Sequence, residues 1–156
     1  MKFPPHRLAR ALAAASLLTL APLPLLSQTL PTGPVVVAGQ ARVATQGSAM
    51  TVTNSAGAIL NWSSFNIGAS SSVRFQQPDA ASQVLNRVTG NDPSTILGQL
   101  SSNGRVWLLN PNGVLFGQGA RVDVGGLVAS TLRLNDLDWL AGRYSFIADG
   151  GSNAQV

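Results

Sequence analysis

Asn103-Gly104-Arg105-Val106-Trp107-Leu108-Leu109-Asn110-Pro111-Asn112-Gly113-Val114-Leu115-Phe116-Gly117 is a pair of short apolar runs set between turn residues. Val106 to Leu109 is too short for an ordinary helix and suits a strand buried on both faces. Asn103-Gly104 opens that run, and Asn110-Pro111-Asn112-Gly113 closes it before Val114. Asn110 precedes a proline, which biases it towards extended backbone. Pro111 fixes its own φ, and Asn112-Gly113 can take the positive φ values of a tight turn. The tetrapeptide is therefore a turn between two strands, with asparagine side chains placed to bond nearby backbone groups.

Outward from this stretch the same pattern continues in both directions. Short apolar or alternating runs at Val35 to Ala38, Ala41 to Thr45, Ala49 to Thr53, Ile59 to Trp62, Ser72 to Gln76, Arg121 to Val124 and Leu127 to Thr131 predict strands. Ser72 to Gln76 alternates polar and apolar residues, as a strand with one buried face does. Gln83 to Val88 is expected to be a strand and Ser94 to Leu100 a short turn, with the turn signal Gly90-Asn91-Asp92-Pro93 between them. One helix is predicted at Asn135 to Gly142, capped by Asn135, with Asp136 and Asp138 in its first turn and Gly142 ending it. Such a helix would cover an edge or an end of the strands. This all-β text fits a β-solenoid or a sandwich, and periodicity alone does not choose between them.

The N-terminal residues read differently. Lys2, His6, Arg7 and Arg10 precede an apolar run through Leu20 that breaks at Pro22 and Pro24, the layout of a signal peptide over residues 1–27. The run is short for a membrane span, so cleavage after Ala21, after Ser27 or nearby is expected, leaving one domain over 28–156. Lys2, Arg7 and Arg10 leave with the leader, so seven arginines face six aspartates and the net charge falls to about +1. The high pI is then no sign of a nucleic-acid surface. The chain has no cysteine, so an export compartment offers no disulfide staple.

Composition also speaks against catalysis. After residue 27 there is no His, Cys, Lys or Glu, which removes Ser/His triads, thiol nucleophiles, lysine bases and most metal-ligand sets. A β-helical polysaccharide lyase or hydrolase would need paired acids, and Asp136 and Asp138 belong to the helix's first turn instead. Asp79, Asp92, Asp123 and Asp149 lie in turn-like surroundings, so no metal site and no cofactor is expected. Trp62, Phe65, Phe75 and Trp107 are expected as core or end-cap packing rather than as stacking platforms for sugars or bases. The arginines at 42, 74, 87, 105, 121, 133 and 143 are spread as a solubilising set.

The string from Asn103 to Gly117 resembles the haemagglutination activity domain, the filamentous haemagglutinin-type N-terminal domain of two-partner secretion exoproteins. Further pieces of that pattern stand in order: Leu30-Pro31-Thr32-Gly33, then Asn61-Trp62-Ser63-Ser64-Phe65-Asn66-Ile67-Gly68, then Val73-Arg74-Phe75-Gln76-Gln77-Pro78 and Val84-Leu85-Asn86-Arg87-Val88. Gly126 to Thr131 and Phe146 complete the set. The resemblance runs from about Leu30 to Phe146. The tetrapeptide Asn-Pro-Asn-Leu used by part of the family is absent, which places the chain nearer the adhesin-type branch.

The resemblance implies a right-handed parallel β-helix with an N-terminal cap and extra-helical β elements. It also implies a secretion-recognition role: an outer-membrane β-barrel transporter with periplasmic recognition domains takes the domain as an address, and the domain nucleates β-helix folding. Asn110, Pro111, Asn112 and Gly113 are then the recognition or turn motif. Asn61, Trp62, Phe65, Asn66, Gly68, Asn86, Arg87, Asn103 and Gly104 are further family positions. β-Augmentation along open strand edges is one way the transporter would bind. Family domains run on for further coils, so the end at Val156 reads as an interrupted solenoid. The alternatives are a module that binds host or bacterial surface glycans in its own right, and a truncated remnant without function. The exported chain is expected to begin after Ala21, after Ser27 or nearby. Intact-mass spectrometry of the secreted material checks this, and a mass that retains Met1 contradicts it.

Overall fold

Short strands with one apolar face gain a core only by stacking, and here they stack as coils. The computed structural model describes residues 29–148, and the expected leader lies outside them. The first coil holds β3 (Ala49–Asn54) and β4 (Ala58–Trp62), and the second holds β5 (Ser72–Gln76), β6 (Gln83–Val88) and β7 (Ser94–Ile96). The third holds β8 (Gln99–Ser102), β9 (Arg105–Leu109) and β10 (Val114–Phe116), and the fourth holds β11 (Arg121–Asp123) and β12 (Gly126–Ser130). Corresponding strands pair in parallel. Ala49 lies opposite Ser72, Ser72 opposite Gln99, and Gln99 opposite Arg121 on one face. Ala58, Val84, Val106 and Leu127 are in register on the second, and Ser94 faces Val114 on the third. The result is the expected parallel β-helix, a solenoid of about four turns.

The N-terminal end is closed by chain running the other way. β1 (Val35–Ala38) lies antiparallel on β4 and β2 (Ala41–Gln46) antiparallel on β3, while Thr32 bridges Ser64 beside the third face. The cap covers β3 and β4 and leaves the antiparallel β1 and β2 as the outermost strands at this end.

Inside the coils Met50, Val73 and Leu100 form one stack, Val52 and Phe75 another. Phe65 stacks on Phe75 with centroids 6.4 Å apart and meets Trp62 edge-on at 5.5 Å. Each such buried side chain stabilises the fold by about 1.5–3 kcal/mol. Asn86 occupies the same interior, fully buried between Leu60 and Leu108. Its Oδ1 accepts from Trp62 Nε1 at 2.9 Å and its Nδ2 donates to the Trp107 carbonyl at 3.2 Å, so each polar atom has a partner.

β9 is buried on both faces because its outer side is also covered. Ile59, Leu85, Trp107 and Leu109 form an apolar row across β4, β6 and β9, and Leu134 and Trp139 close over it. They belong to an extra-helical strap made of β13 (Arg133–Leu134), α1 (Asp136–Leu140) and β14 (Phe146–Ile147), with β13 and β14 antiparallel. Trp139 meets Trp107 at 5.2 Å and donates its indole N–H to the Gly57 carbonyl at 2.8 Å. Arg87 donates to the Leu134 carbonyl at 2.9 Å and pairs with Asp136. The strap thus fastens to three successive coils.

Asn135 caps α1 by accepting from Leu137 N, and Gly142, at φ +70°, stops it. Gly142 N bonds Trp139 O while Arg143 N bonds Asp138 O, the paired bonds of a Schellman ending. The helix ends lie where the sequence places them, but the helix covers a sheet face rather than an edge or an end, because the apolar outer row needs burial.

One other expectation is corrected. Ser94 to Leu100 is not a turn: it contributes β7 and the start of β8, joined by a corner at Leu97-Gly98. A Cβ on Gly98 would stand 2.2 Å from the carbonyl oxygens of Gly68 and Ser71, so the corner is set by close stacking on the coil below rather than by a local turn signal. Trp107 is core packing as expected, in a second apolar cluster on the outer face of the coils under the strap.

At the corner before β6, Asp79 accepts from the Ser82 hydroxyl and from the backbone N–H groups of Ser82 and Ala81. These bonds, led by that of the Ser82 hydroxyl, hold its carboxyl below the ordinary carboxylate range. Their contribution is present at neutral pH and fades as pH falls through that lowered value.

Trp139→Ala removes the strap's buried anchor and its bond to Gly57. A loss of about 3–5 kcal/mol is expected, as for other buried tryptophans. Urea unfolding measures it, and a change under about 1 kcal/mol would show that the strap is not a fastening.

Candidate functional site

The tetrapeptide Asn110-Pro111-Asn112-Gly113 forms a turn closed by Gly113 N donating to Asn110 O at 3.0 Å. Asn at the first position, Pro at the second and Gly at the fourth are the preferences of a type I turn. Only Gly113 has positive φ, at 116°, and Asn112 does not. The expectation of positive φ at both is thereby corrected, since the third position of a type I turn has negative φ.

Asn110 is fully buried and every capacity of its carboxamide is used. Oδ1 accepts from Asn112 N at 3.0 Å and from Asn112 Nδ2 at 3.2 Å. Nδ2 donates to the Asp92 carbonyl and to Ser94 Oγ, both at 3.0 Å. Asn112 Nδ2 also donates to the Gly90 carbonyl at 2.8 Å. The turn of the third coil is thus bonded to the loop of the second.

Other motif asparagines act in the same way at other corners. Asn103 Oδ1 accepts from Gln77 N at 2.9 Å while its Nδ2 donates to Gln77 O at 2.7 Å, a side chain standing in for a strand neighbour. Asn66 Oδ1 accepts from Thr95 N at 2.8 Å, and Gly68 N bonds Thr29 O. Gly104 leaves no room for a Cβ, which would stand 2.6 Å from Ser82 O. Trp62, Phe65 and Asn86 lie in the interior. The structure therefore brings only Asn61, Arg87, Pro111 and Asn112 of the motif positions together at one surface.

That surface is a cleft of about 510 Å³. The Thr89-Gly90-Asn91 loop and the Pro111-Asn112 turn form one side, residues 132–134 of the strap the other, and Asn61, Arg87, Val88 and Leu109 line it between them. Two guanidinium groups and no carboxylate line it, although Arg87 is paired with Asp136. The carboxamides of Asn61 and Asn91 make no hydrogen bond among the described residues, and Asn61 Oδ1 and Arg87 Nε are buried without partners. Asn91 and the strap residues carry no motif signature of a site; only the fold adds them. No group of His, Cys, Asp or Glu among the described residues is arranged to hold a metal ion.

Compared with known proteins, residues 27–155 match the profile of the TPS secretion domain. The chain belongs to the TPS secretion domain family. It is similar to the heme/hemopexin-binding protein of Haemophilus influenzae, 47% identical over 106 residues that make up 67% of this chain and 12% of that protein. A second Haemophilus influenzae protein of the same name is 42% identical over 87 residues, 56% of this chain and 9% of that one. Among solved structures it resembles the HMW1 secretion domain from Haemophilus influenzae, with a TM-score of 0.73 and 40% identity over 74% of this chain and 31% of that one. The chain therefore spans only a small part of the curated relatives it matches. TPS domains serve export across the outer membrane through a transporter partner, and the family is one of secretion domains rather than of enzymes.

Asn110→Ala leaves the buried Ser94 hydroxyl and the turn's own N–H groups without their partner and is expected to cost about 3 kcal/mol, while Asn112→Ala costs about 1 kcal/mol. Urea titration of both variants checks the order, and equal losses would contradict the separation of a locking residue from a surface one.

Proposed function

We propose that this chain carries the secretion-recognition domain of an adhesin-like exported protein, read by a cognate outer-membrane transporter at the face that bears the Asn110–Gly113 turn. The observation that supports this most is the convergence of Asn61, Arg87, Pro111 and Asn112, far apart in sequence, on one cleft. Residues 1–27 are its export signal and 28–156 its recognition domain. It passes through the periplasm and is then secreted or retained at the cell surface.

The domain also nucleates β-helix folding. The outermost strands, antiparallel β1 and β2 at the N-terminal end and parallel β11 and β12 at the other, each pair on one side only among the described residues, and the parallel edges of β11 and β12 continue the coil register. Those edges offer a template for a further coil, and they are where β-augmentation would act. The haem and hemopexin binding in the relatives' names is not proposed for this domain. Residues 28–156 offer neither His nor Cys, and the lone Tyr144 already hydrogen-bonds Gln83.

A secretion assay in cells with and without a candidate transporter tests the reading. The intact chain is expected outside the cell only when the transporter is present, and the Asn110→Ala, Asn112→Ala double variant is expected to remain inside. Periplasmic retention of the intact chain in both strains, or release without a transporter, would overturn it.

A further inference from the structure

Asn-Gly occurs twice in the chain, at Asn103-Gly104 and Asn112-Gly113, and both pairs stand at corners of the third coil. An asparagine followed by glycine carries its own electrophile and nucleophile. One bond, from the glycine nitrogen to the asparagine Cγ, closes a five-membered ring, and glycine, with no Cβ, leaves the approach open. Elsewhere the described asparagines precede bulkier residues, as at Asn61-Trp62, Asn66-Ile67 and Asn86-Arg87. Asn110 precedes Pro111, whose nitrogen carries no hydrogen to lose.

In the fold both partners of each pair are held. Gly113 N donates to Asn110 O at 3.0 Å, while Asn112 Nδ2 donates to Gly90 O at 2.8 Å and to Asn110 Oδ1 at 3.2 Å. Gly104 N donates to Ser102 Oγ at 3.1 Å, and the Asn103 carboxamide is bonded on both sides to the Gln77 main chain at 2.9 and 2.7 Å. Ring closure has to break these bonds together. We infer that Asn103 and Asn112 are sites of spontaneous deamidation in the unfolded chain, and that stacking of the coils shuts the reaction off. The glycine nitrogen bonds to the asparagine Cγ, the bond from Cγ to the side-chain nitrogen breaks, and the displaced proton leaves with that nitrogen as ammonia. Water then opens the cyclic imide at one carbonyl or the other, giving aspartate or isoaspartate. Nothing is oxidised or reduced, and water is the one co-reactant. Neither product fits the corner it came from. A carboxylate only accepts, so aspartate at 112 sets an oxygen against Gly90 O and Asn110 Oδ1, and aspartate at 103 sets one against Gln77 O. Isoaspartate adds a main-chain atom to the corner. Each corner therefore has to close before its asparagine reacts, which sets a chemical limit on the time the chain can spend unfolded.

The full chain is incubated in mildly alkaline buffer, either folded or held unfolded in guanidinium chloride. Peptide mapping by mass spectrometry then separates amide, aspartate and isoaspartate at each position. In the unfolded chain Asn103 and Asn112 are expected to convert, while Asn66, Asn86 and Asn110 keep their amides. In the folded chain conversion at both sites is expected to be at least roughly tenfold slower, since it has to pass through a local opening. Asn103→Asp and Asn112→Asp carry one of the products from the start, and both are expected to melt below the parent. An Asp variant that does not fold agrees with the product's exclusion from the corner. A pair that reacts as fast folded as unfolded is struck from the inference, and equal rates at both pairs overturn it. Conversion of Asn66 or Asn86 as fast as Asn103 and Asn112 in denaturant removes the special place of the Asn-Gly pairs and also overturns it. Parental melting of both Asp variants overturns the limit on unfolded time.

Discussion

The carboxamide of Asn110 is the constraint on which this face of the molecule depends. It is completely buried; two of its four hydrogen bonds shape the turn after β9, and the other two join that turn to Asp92 in the loop after β6 and to Ser94 at the start of β7. A buried amide is tolerated only when fully paired, so the turn and the loop must hold one relative position. That position sets the spacing of Gly90, Asn91, Pro111 and Asn112, and hence one side of the cleft. The motif is in this sense structural first, and what it holds in place is the surface offered to a partner.

The other side of the cleft depends on a different force. The strap lies where it does because an apolar row on the outside of β4, β6 and β9 would otherwise face water. Trp139 and Trp107 supply the contact area, and the Trp139 bond to Gly57 and the Arg87 pair with Asp136 fix its direction across the coils. Burial thus places residues 132–134 next to the motif turn. The cleft exists where a hydrogen-bonded corner and a hydrophobic strap meet, and neither element makes it alone.

Much of this was legible in the sequence because much of it is local. The strands at Val35, Ser72, Gln83, Arg105 and Val114 follow from alternation and from flanking turn residues, and the ends of α1 follow from Asn135 and Gly142. The family motifs fixed the solenoid where periodicity left a sandwich open. What was not legible is non-local. The Leu97-Gly98 corner comes from contact with Gly68 and Ser71 a coil below, so no turn dipeptide announces it. Negative φ at Asn112 follows from the turn type, which the string Asn-Gly alone does not specify. The free state of Asn61 and Asn91 depends on which backbone groups the stacking brings near, and in the sequence they look like every other asparagine.

Hydrogen exchange of the folded domain, with and without the transporter's periplasmic domains, tests most directly whether this face is the one read. Added protection confined to Thr89–Asn91, Asn110–Gly113 and residues 132–134 is the predicted result. Unchanged exchange there, with protection instead on the β2, β3 and β5 face, would contradict it.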